Sequence, residues 1–397
     1  MLIRLVALAK VFALGLTIAT AAQLAGCASR TVQPAGPLPF DIAGLELIGH
    51  YSLPKPAPGD PLHLARPGGV SGLSVDPSTG EIVGISDDSV DNRVFIFEAS
   101  KPALPFRIDL RAYFPLPAGT GAPSLDGEGI AVTRSSHMFI SSEGLPDRTP
   151  RAPPAIVEYT RRVDYVATLP LPAKFLQPET GPLTRGVRRN EGFESLTLSP
   201  DEERLYTASE TALTQDGEGA SFAHGTTARV LEFVNDRGRF VSRREFPYPL
   251  DPVPQVAFTP SFMVNGLVEL LSLGRGELLS MERGYAEEAG TGGRRAAFIR
   301  IFRVSLDGAT DISSMDSIRG RSNLEPVRKR LVLDVNKARG LPAELDVPEF
   351  DNFEGMCPGP TLADGSRTLL IVSDDNFSSR QRTWFLLFRI TNQRERL

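Results

Sequence analysis

Cysteine is nearly absent: Cys27 and Cys357 are the only two in 397 residues. A fold stapled by several disulfides is therefore excluded, and the core must be held by packing alone. Histidine is almost as scarce. His50, His63, His137 and His224 share no metal-ligand spacing, so a zinc motif of the His-Glu-x-x-His type is excluded. Neither a Gly-x-Ser-x-Gly elbow nor a phosphate-cradling Walker loop occurs. A Ser-His-Asp triad has no fixed spacing, so it is unsupported rather than excluded; His224, in the Gly-rich loop 216–225, is the one histidine placed to act as a mobile base. Net charge is −5 with no basic stripe, which argues against a nucleic-acid partner. Helical periodicity is rare, and proline interrupts most segments that begin to show it.

Glycine and proline are abundant instead, 36 and 33 respectively, as many short strands with tight turns require. The start of the chain is different in character. Arg4 and Lys10 precede an apolar run over 11–22, and Leu24-Ala25-Gly26-Cys27 follows. A run this short behind a basic start reads as a signal peptide rather than a membrane span. The Leu-Ala-Gly-Cys ending has the form of a bacterial lipobox, with cleavage before Cys27 and acylation of its thiol; an ordinary secretory signal with an incidental cysteine is the alternative. Residues 28–40, rich in Pro, Ala and Gly, read as a flexible tether, and 41–397 as one domain. Cys357 then has no partner, and a lone thiol after an apolar run packs more often than it reacts.

The domain is a repeat. Glu191-Gly-Phe-Glu-Ser-Leu-Thr-Leu, a polar turn, and Arg204-Leu-Tyr-Thr-Ala-Ser-Glu210 form a strand–turn–strand unit with carboxylates at Glu194 and Glu210. Asp126-Gly-Glu-Gly-Ile-Ala-Val with His137 to Glu143 repeats it, as does Asn352-Phe-Glu-Gly-Met with Leu369 to Asp374. Weaker copies begin at Ser71 and Asn265. A third apolar run follows each unit, at 93–97, 155–159, 229–233, 297–302 and 384–388, and a fourth follows all but the last. Four strands per unit at a long, loose period predict an all-β protein, a β-propeller with five recognisable four-stranded blades. A sixth fits only inside 211–264 or 303–350. The lone segment 45–53 supplies the strand that the last blade lacks, closing the ring by pairing the two ends.

The acids that open the inner strands cannot sit between blades cheaply, so Glu128, Glu194 and Glu354 belong at the channel mouth. Three like charges there call for a cation, and oxygen ligands favour Ca²⁺, with Asn265 as a further donor. The competing expectation is that each Glu caps its own turn or pairs with an arginine. A second set, Asp87, Glu143, Glu210, Glu282 and Asp374, ends the second strands; Glu143, Glu210 and Asp374 are the catalytic candidates from it, against a turn-capping role. Arg185, Arg188 and Arg189 lead into the third unit and could clamp an anionic substrate, or could form a solvated loop.

Asp126-Gly-Glu-Gly-Ile-Ala, Asn190-Glu-Gly-Phe-Glu-Ser-Leu, Phe353-Glu-Gly-Met and Ser373-Asp-Asp-Asn-Phe together resemble the family called esterase-like activity of phytase, over roughly 41–395. That resemblance implies a propeller and hydrolysis of phosphate or other esters. It also implies metal-bridged carboxylates that hold phosphate and activate water, a scheme compatible with Glu128, Glu194 and Glu354. Ser71 and Asn265 stand where other units have Glu. The expected protein is an envelope-anchored, monomeric, phytase-like hydrolase that takes a small-molecule ester and touches the membrane through its lipid only. The alternative is a non-catalytic propeller that binds an envelope ligand or protein.

Overall fold

Segments such as Ile82–Ser86, His137–Ser142 and Thr368–Asp374 carry apolar side chains in nearly unbroken runs because both faces of their sheets are covered. The computed structural model describes residues 38–39, 41–54, 68–99, 105–117, 121–290, 292–345, 350–378 and 380–392. The expected leader, Cys27 and all but residues 38 and 39 of the expected tether fall outside the described residues.

Among the described residues, twenty strands form five antiparallel four-stranded sheets. The first blade is β2 (Val70–Val75), β3 (Ile82–Ser86), β4 (Arg93–Ala99) and β5 (Ile108–Pro115). The second is β6 (Gly127–Val132), β7 (His137–Ser142), β8 (Ala155–Thr160) and β9 (Tyr165–Thr168). The third is β10 (Thr197–Leu198), β11 (Arg204–Ala208), β12 (Thr226–Asp236) and β13 (Arg239–Leu250). The fourth is β14 (Phe262–Gly274), β15 (Glu277–Glu287), β16 (Arg295–Ser305) and β17 (Arg328–Asp334). The fifth is β18 (Asn352–Pro358), β19 (Thr368–Asp374) and β20 (Trp384–Asn392), with β1 (Ile42–Ser52) as its outer strand.

Among the described residues the count is therefore five blades, without a sixth. β1 pairs antiparallel with β20 from Ile42–Asn392 to Ser52–Trp384, which is the closure expected from segment 45–53. Inner strands touch in turn round the ring: β2 with β6, β6 with β10, β10 with β14, β14 with β18, and β18 with β2.

Five apolar clusters lie in the five gaps between blades. Phe97 and Phe385, for example, meet edge to face between blades one and five, with ring centroids 5.4 Å apart. Phe139 and Phe240 do the same at 5.2 Å between blades two and three. Each blade is thus stabilised only by its neighbours, which is why a missing outer strand in blade five would leave an apolar edge uncovered. Cys357 is buried in the cluster between blades five and one, and burial pushes its thiol pKa up, as suits a packing residue. Among the described residues no helix is long and apolar enough to cross a membrane.

Candidate active site at the propeller mouth

The site is made by a fault repeated in every inner strand. Regular pairing would turn alternate residues into the gaps between blades. Instead the register slips between Val70 and Gly72, Gly127 and Ile130, Leu267 and Glu269, and Phe353 and Gly355. In blade three, Phe193 bridges Ser209 while Thr197 pairs with Tyr206, which places the same slip at Glu194. A β-bulge re-aims the extra side chain, here Ser71, Glu128, Glu194, Val268 and Glu354 in blades one to five. Next to the bulge the chain must pass close to its neighbour. A Cβ at Gly129 would lie 2.6 Å from the Leu196 nitrogen and 2.7 Å from the Glu194 carbonyl oxygen. Glu269 takes this place in blade four; buried on the axis, it accepts hydrogen bonds from the Leu270 and Met356 amides at 2.9 and 3.3 Å, and burial pushes its pKa up.

The residue just beyond each second strand's slip position forms the other ring: Asp87, Glu143, Glu210, Arg283 and Asp374. This corrects the sequence expectation for blade four. There Leu267 pairs with Glu282, so Arg283 faces the mouth, while Glu282 binds Tyr248 and Lys329 at 2.8 and 2.6 Å between blades. Asn265 is turned away as well, donating to the Asp251 carbonyl at 2.9 Å and to Glu282 at 3.3 Å. Val268, not Asn265, is the counterpart of Glu128.

Four members of this ring, Asp87, Glu143, Glu210 and Arg283, reach the next blade's inner strand, whereas between blades five and one it is Asp375, not Asp374, that accepts the Gly69 amide, at 2.9 Å. Glu143 accepts a hydrogen bond from the Gly192 amide at 3.3 Å, and side chains at Gly192 or Gly266 would collide with Glu143 or Glu210. Where that next residue is polar, a pair forms: Asp87 bonds Asp126, and Arg283 bonds Asn352. The turn-capping expectation thus gives way, for Glu143 and Glu210, to contacts across the blade gap. Ser71 ties the first ring together, donating to Glu128 at 2.6 Å and lying 3.2 Å from Glu354.

Electrostatics at this mouth are one-sided. Besides Glu269, seven acids at the mouth carry elevated pKa values. Burial is the main cause for Asp87, with Asp126 and Glu354 adding to it, and for Glu128, with Asp87 and Glu194 adding to it. Burial likewise lifts Asp126, Glu143, Glu194 and Asp374. Glu210 is pushed up by burial to about 7, against the pull of Arg283. Arg283 is the cation on the other side. Burial works against its charge, but Glu354, Glu210 and Glu194 outweigh that and lift its pKa. Its Nη1 bonds Glu354 and Asn352, and its Nη2 lies 3.1 Å from Glu210. One buried oxygen here, Asp374 Oδ2, has no hydrogen-bond partner.

A cleft of about 910 Å³ opens onto Glu210 and Arg283 and is walled by Phe262, Tyr285 and Phe350, with Arg380 at its edge. The arginines singled out in the sequence are elsewhere. Arg188 binds the Ala212 carbonyl at 2.9 Å and the Gly217 carbonyl, Arg189 pairs with exposed Asp147 at 2.6 Å, and Arg185 is exposed. None of the described histidines joins the ring. His50 stacks edge-on against Trp384, His137 bonds Glu158 at 2.5 Å, and His224 lies on an exposed loop.

A family model described as phytase-like, esterase-like activity of phytase, matches residues 65–377. The chain belongs to this family. No curated protein matches it significantly. Among solved structures, a glycosyl hydrolase from Bacteroides ovatus aligns at TM-score 0.38 and 11% identity, covering 89% of this chain and 96% of that one. U3-55K aligns at 0.34 and 10%, covering 86% and 99%, and AztD from Citrobacter koseri at 0.28 and 10%, covering 81% and 90%. Likeness at these scores carries no argument about function. Membership of the phytase-like family, together with the propeller, suggests a hydrolase-type function.

The phytase-like resemblance implies a divalent cation, and the donor set fits one. Oxygens of Asp87, Asp126 and Glu128 lie within 4.8 Å of one another, a spread that a cation with ligands at about 2.3–2.6 Å can bridge. Of the three expected ligands only Glu128 is in this group; Glu354 is held by Arg283, and Glu194, in the adjacent blade three, raises the pKa of Glu128 without joining the group. Asp126 was visible in its Asp-Gly-Glu motif as part of the repeat but not as a donor. Arg283 carries no motif at all.

Proposed function

We propose that this protein is a metal-dependent hydrolase of phosphate or other esters, with a divalent cation, Ca²⁺ by the hardness of its ligands, held by Asp87, Asp126 and Glu128. The observation that carries this reading is the crowd of buried acids around that group. Carboxylates with raised pKa values must share protons or share a cation, and a bound divalent ion replaces those protons. When bound, such an ion polarises an ester oxygen and acidifies water. The chain's own residues do the rest. Glu210, titrating near 7, is suited to accept a proton from water at neutral pH. Glu143 and Asp374 fix the charge around it. Arg283, facing the cleft, offers its guanidinium edge to an anionic group, while Phe262, Tyr285 and Phe350 cover an apolar part of the substrate.

Exposed Phe262 beside Tyr285, with ring centroids 6.2 Å apart, also favours a second reading, in which the same cleft binds an envelope ligand without chemistry. Either way we propose that the chain is exported, anchored through Cys27 and monomeric.

The test is calcium titration of the full chain by calorimetry, beside hydrolysis of a small aryl phosphate and an aryl acetate. Asp126→Asn and Glu128→Gln should each weaken calcium binding by at least about 10-fold and lose ester turnover with it. Turnover that persists in chelator would overturn the metal-dependent reading. Calcium binding without turnover of any ester would leave the binding module.

A further inference from the structure

The five blade gaps can be compared position by position, because the register sets three equivalent positions at each: the second-ring residue of one blade, and two inner-strand residues of the next. Between blades one and two these are Asp87, Asp126 and Glu128. Between blades two and three they are Glu143, Gly192 and Glu194. Between blades three and four they are Glu210, Gly266 and Val268, and between five and one Asp374, Gly69 and Ser71. Between blades four and five they are Arg283, Asn352 and Glu354.

The first and the fourth gap are thus equivalent, with one reversal of charge. Where the first gap gathers three carboxylates, with Arg148 acting on Asp126 through space, the fourth carries a guanidinium whose Nη1 donates to both Asn352 Oδ1 and Glu354 Oε1. That nitrogen lies among its oxygens as an ion would lie among Asp126 and Glu128. Arg283 is 15% exposed and Glu210 1%, so its charge is an internal one, shared between two gaps through Glu210 at 3.1 Å. Asp374 Oδ2, also buried, is a further ring oxygen without a hydrogen-bond partner among the described residues.

We propose that Arg283 is a built-in cation: it fills, between blades four and five, the place that a divalent ion takes between blades one and two, and so confines exchangeable cation binding to one side of the mouth. The consequence is a division of labour. The acid side exchanges its ion with solvent, whereas the Arg283 side keeps a permanent charge facing the cleft that chelators cannot remove. This rests on the metal reading of Asp87, Asp126 and Glu128, and the experiment separates the two.

Calcium is titrated by calorimetry into the full chain, into Asp126→Asn, and into the pair Arg283→Asp with Asn352→Asp, which rebuilds the first gap's acid set in the fourth. The paired variant should bind one calcium more per chain than the native protein, and Asp126→Asn one fewer. An unchanged count in the paired variant, with calcium bound by the native chain, overturns the role of Arg283 alone. No calcium on the native chain overturns the metal reading first. Should the paired variant fail to fold in chelator, Arg283→Met supplies the second arm. Its melting temperature should rise on adding calcium by more than that of the native protein, since Glu354 and Glu210 are then free to bind; an equal rise overturns the proposal.

Discussion

Replacing Glu210 with Gln isolates one proton in the acid ring. The folded state lifts this carboxyl from its ordinary 4.5 to about 7, chiefly by burial, since the residue is 1% exposed. At about 1.4 kcal/mol per pKa unit, that difference amounts to about 3 kcal/mol. The direction is fixed by proton counting. Between pH 4.5 and 7 the folded chain holds a proton at Glu210 that the unfolded chain has released, so stability falls as pH rises through that window. Below it both states are protonated; above it neither is, and the full loss has been taken. Gln keeps the shape of the protonated acid and never titrates. Urea unfolding in the presence of chelator should therefore show Glu210→Gln gaining on the native protein by about 3 kcal/mol between pH 4.5 and pH 8, with an unchanged slope in denaturant. The comparison between the two pH values cancels whatever the amide loses toward Arg283 at both. A gap between variant and native that stays flat within about 1 kcal/mol would refute the claim that the mouth holds this carboxyl out of water.

Two other changes probe the frame rather than the charge. Gly129→Ala puts a methyl 2.6 Å from the Leu196 nitrogen and 2.7 Å from the Glu194 oxygen; both are backbone atoms that cannot swing aside, so thermal melting should reveal a loss of about 1–3 kcal/mol. A native-like melting temperature would mean the inner strands are further apart than described. Arg229→Leu removes a fully buried guanidinium that binds Asp216 at 2.7 Å and Glu245 at 2.8 Å, and stranding those acids should cost about 3–5 kcal/mol in urea unfolding. Less than about 1 kcal/mol would show that Lys174, 3.0 Å from Glu245, suffices as its counter-ion.

The strands were legible because propeller sheets are covered on both faces, so runs such as Leu369-Leu-Ile-Val and Trp384-Phe-Leu-Leu-Phe stand out without any alternation. The short β10 was not separable from its flanks, since only Thr197 and Leu198 pair regularly. Glu128, Glu194 and Glu354 could be found because each stands one small residue ahead of the apolar part of its inner strand. In blade four the offset fails. The bulge falls at Val268, an apolar residue indistinguishable in sequence from its neighbours Leu267 and Leu270, so Asn265 and Glu282 looked like the ring members and Arg283 was passed over. A bulge has no residue signature, yet a shift by one decides whether a side chain faces the mouth or the gap. The arginines at 185, 188 and 189 show the converse. A cluster of charges reads the same whether it clamps a ligand or, like Arg188, braces backbone carbonyls.

The seam between β1 and β20 also sets the order in which this molecule can come into being. A chain made from its amino end releases β1 before any other strand and β20 after all of them. Until β20 arrives, Leu45 and Leu47 have no sheet to join, and the first blade keeps one apolar face uncovered at the open side of the unfinished ring. Pairing of this span is the least local contact in the fold, the kind that slows folding and leaves intermediates sticky. The mouth shares that delay. Glu354 and Asp374 belong to the same last blade, as do Asn352 and the Glu354 oxygen that engages Arg283. The acid rings are therefore completed only when the molecule is sealed, and no earlier fragment carries both of them whole.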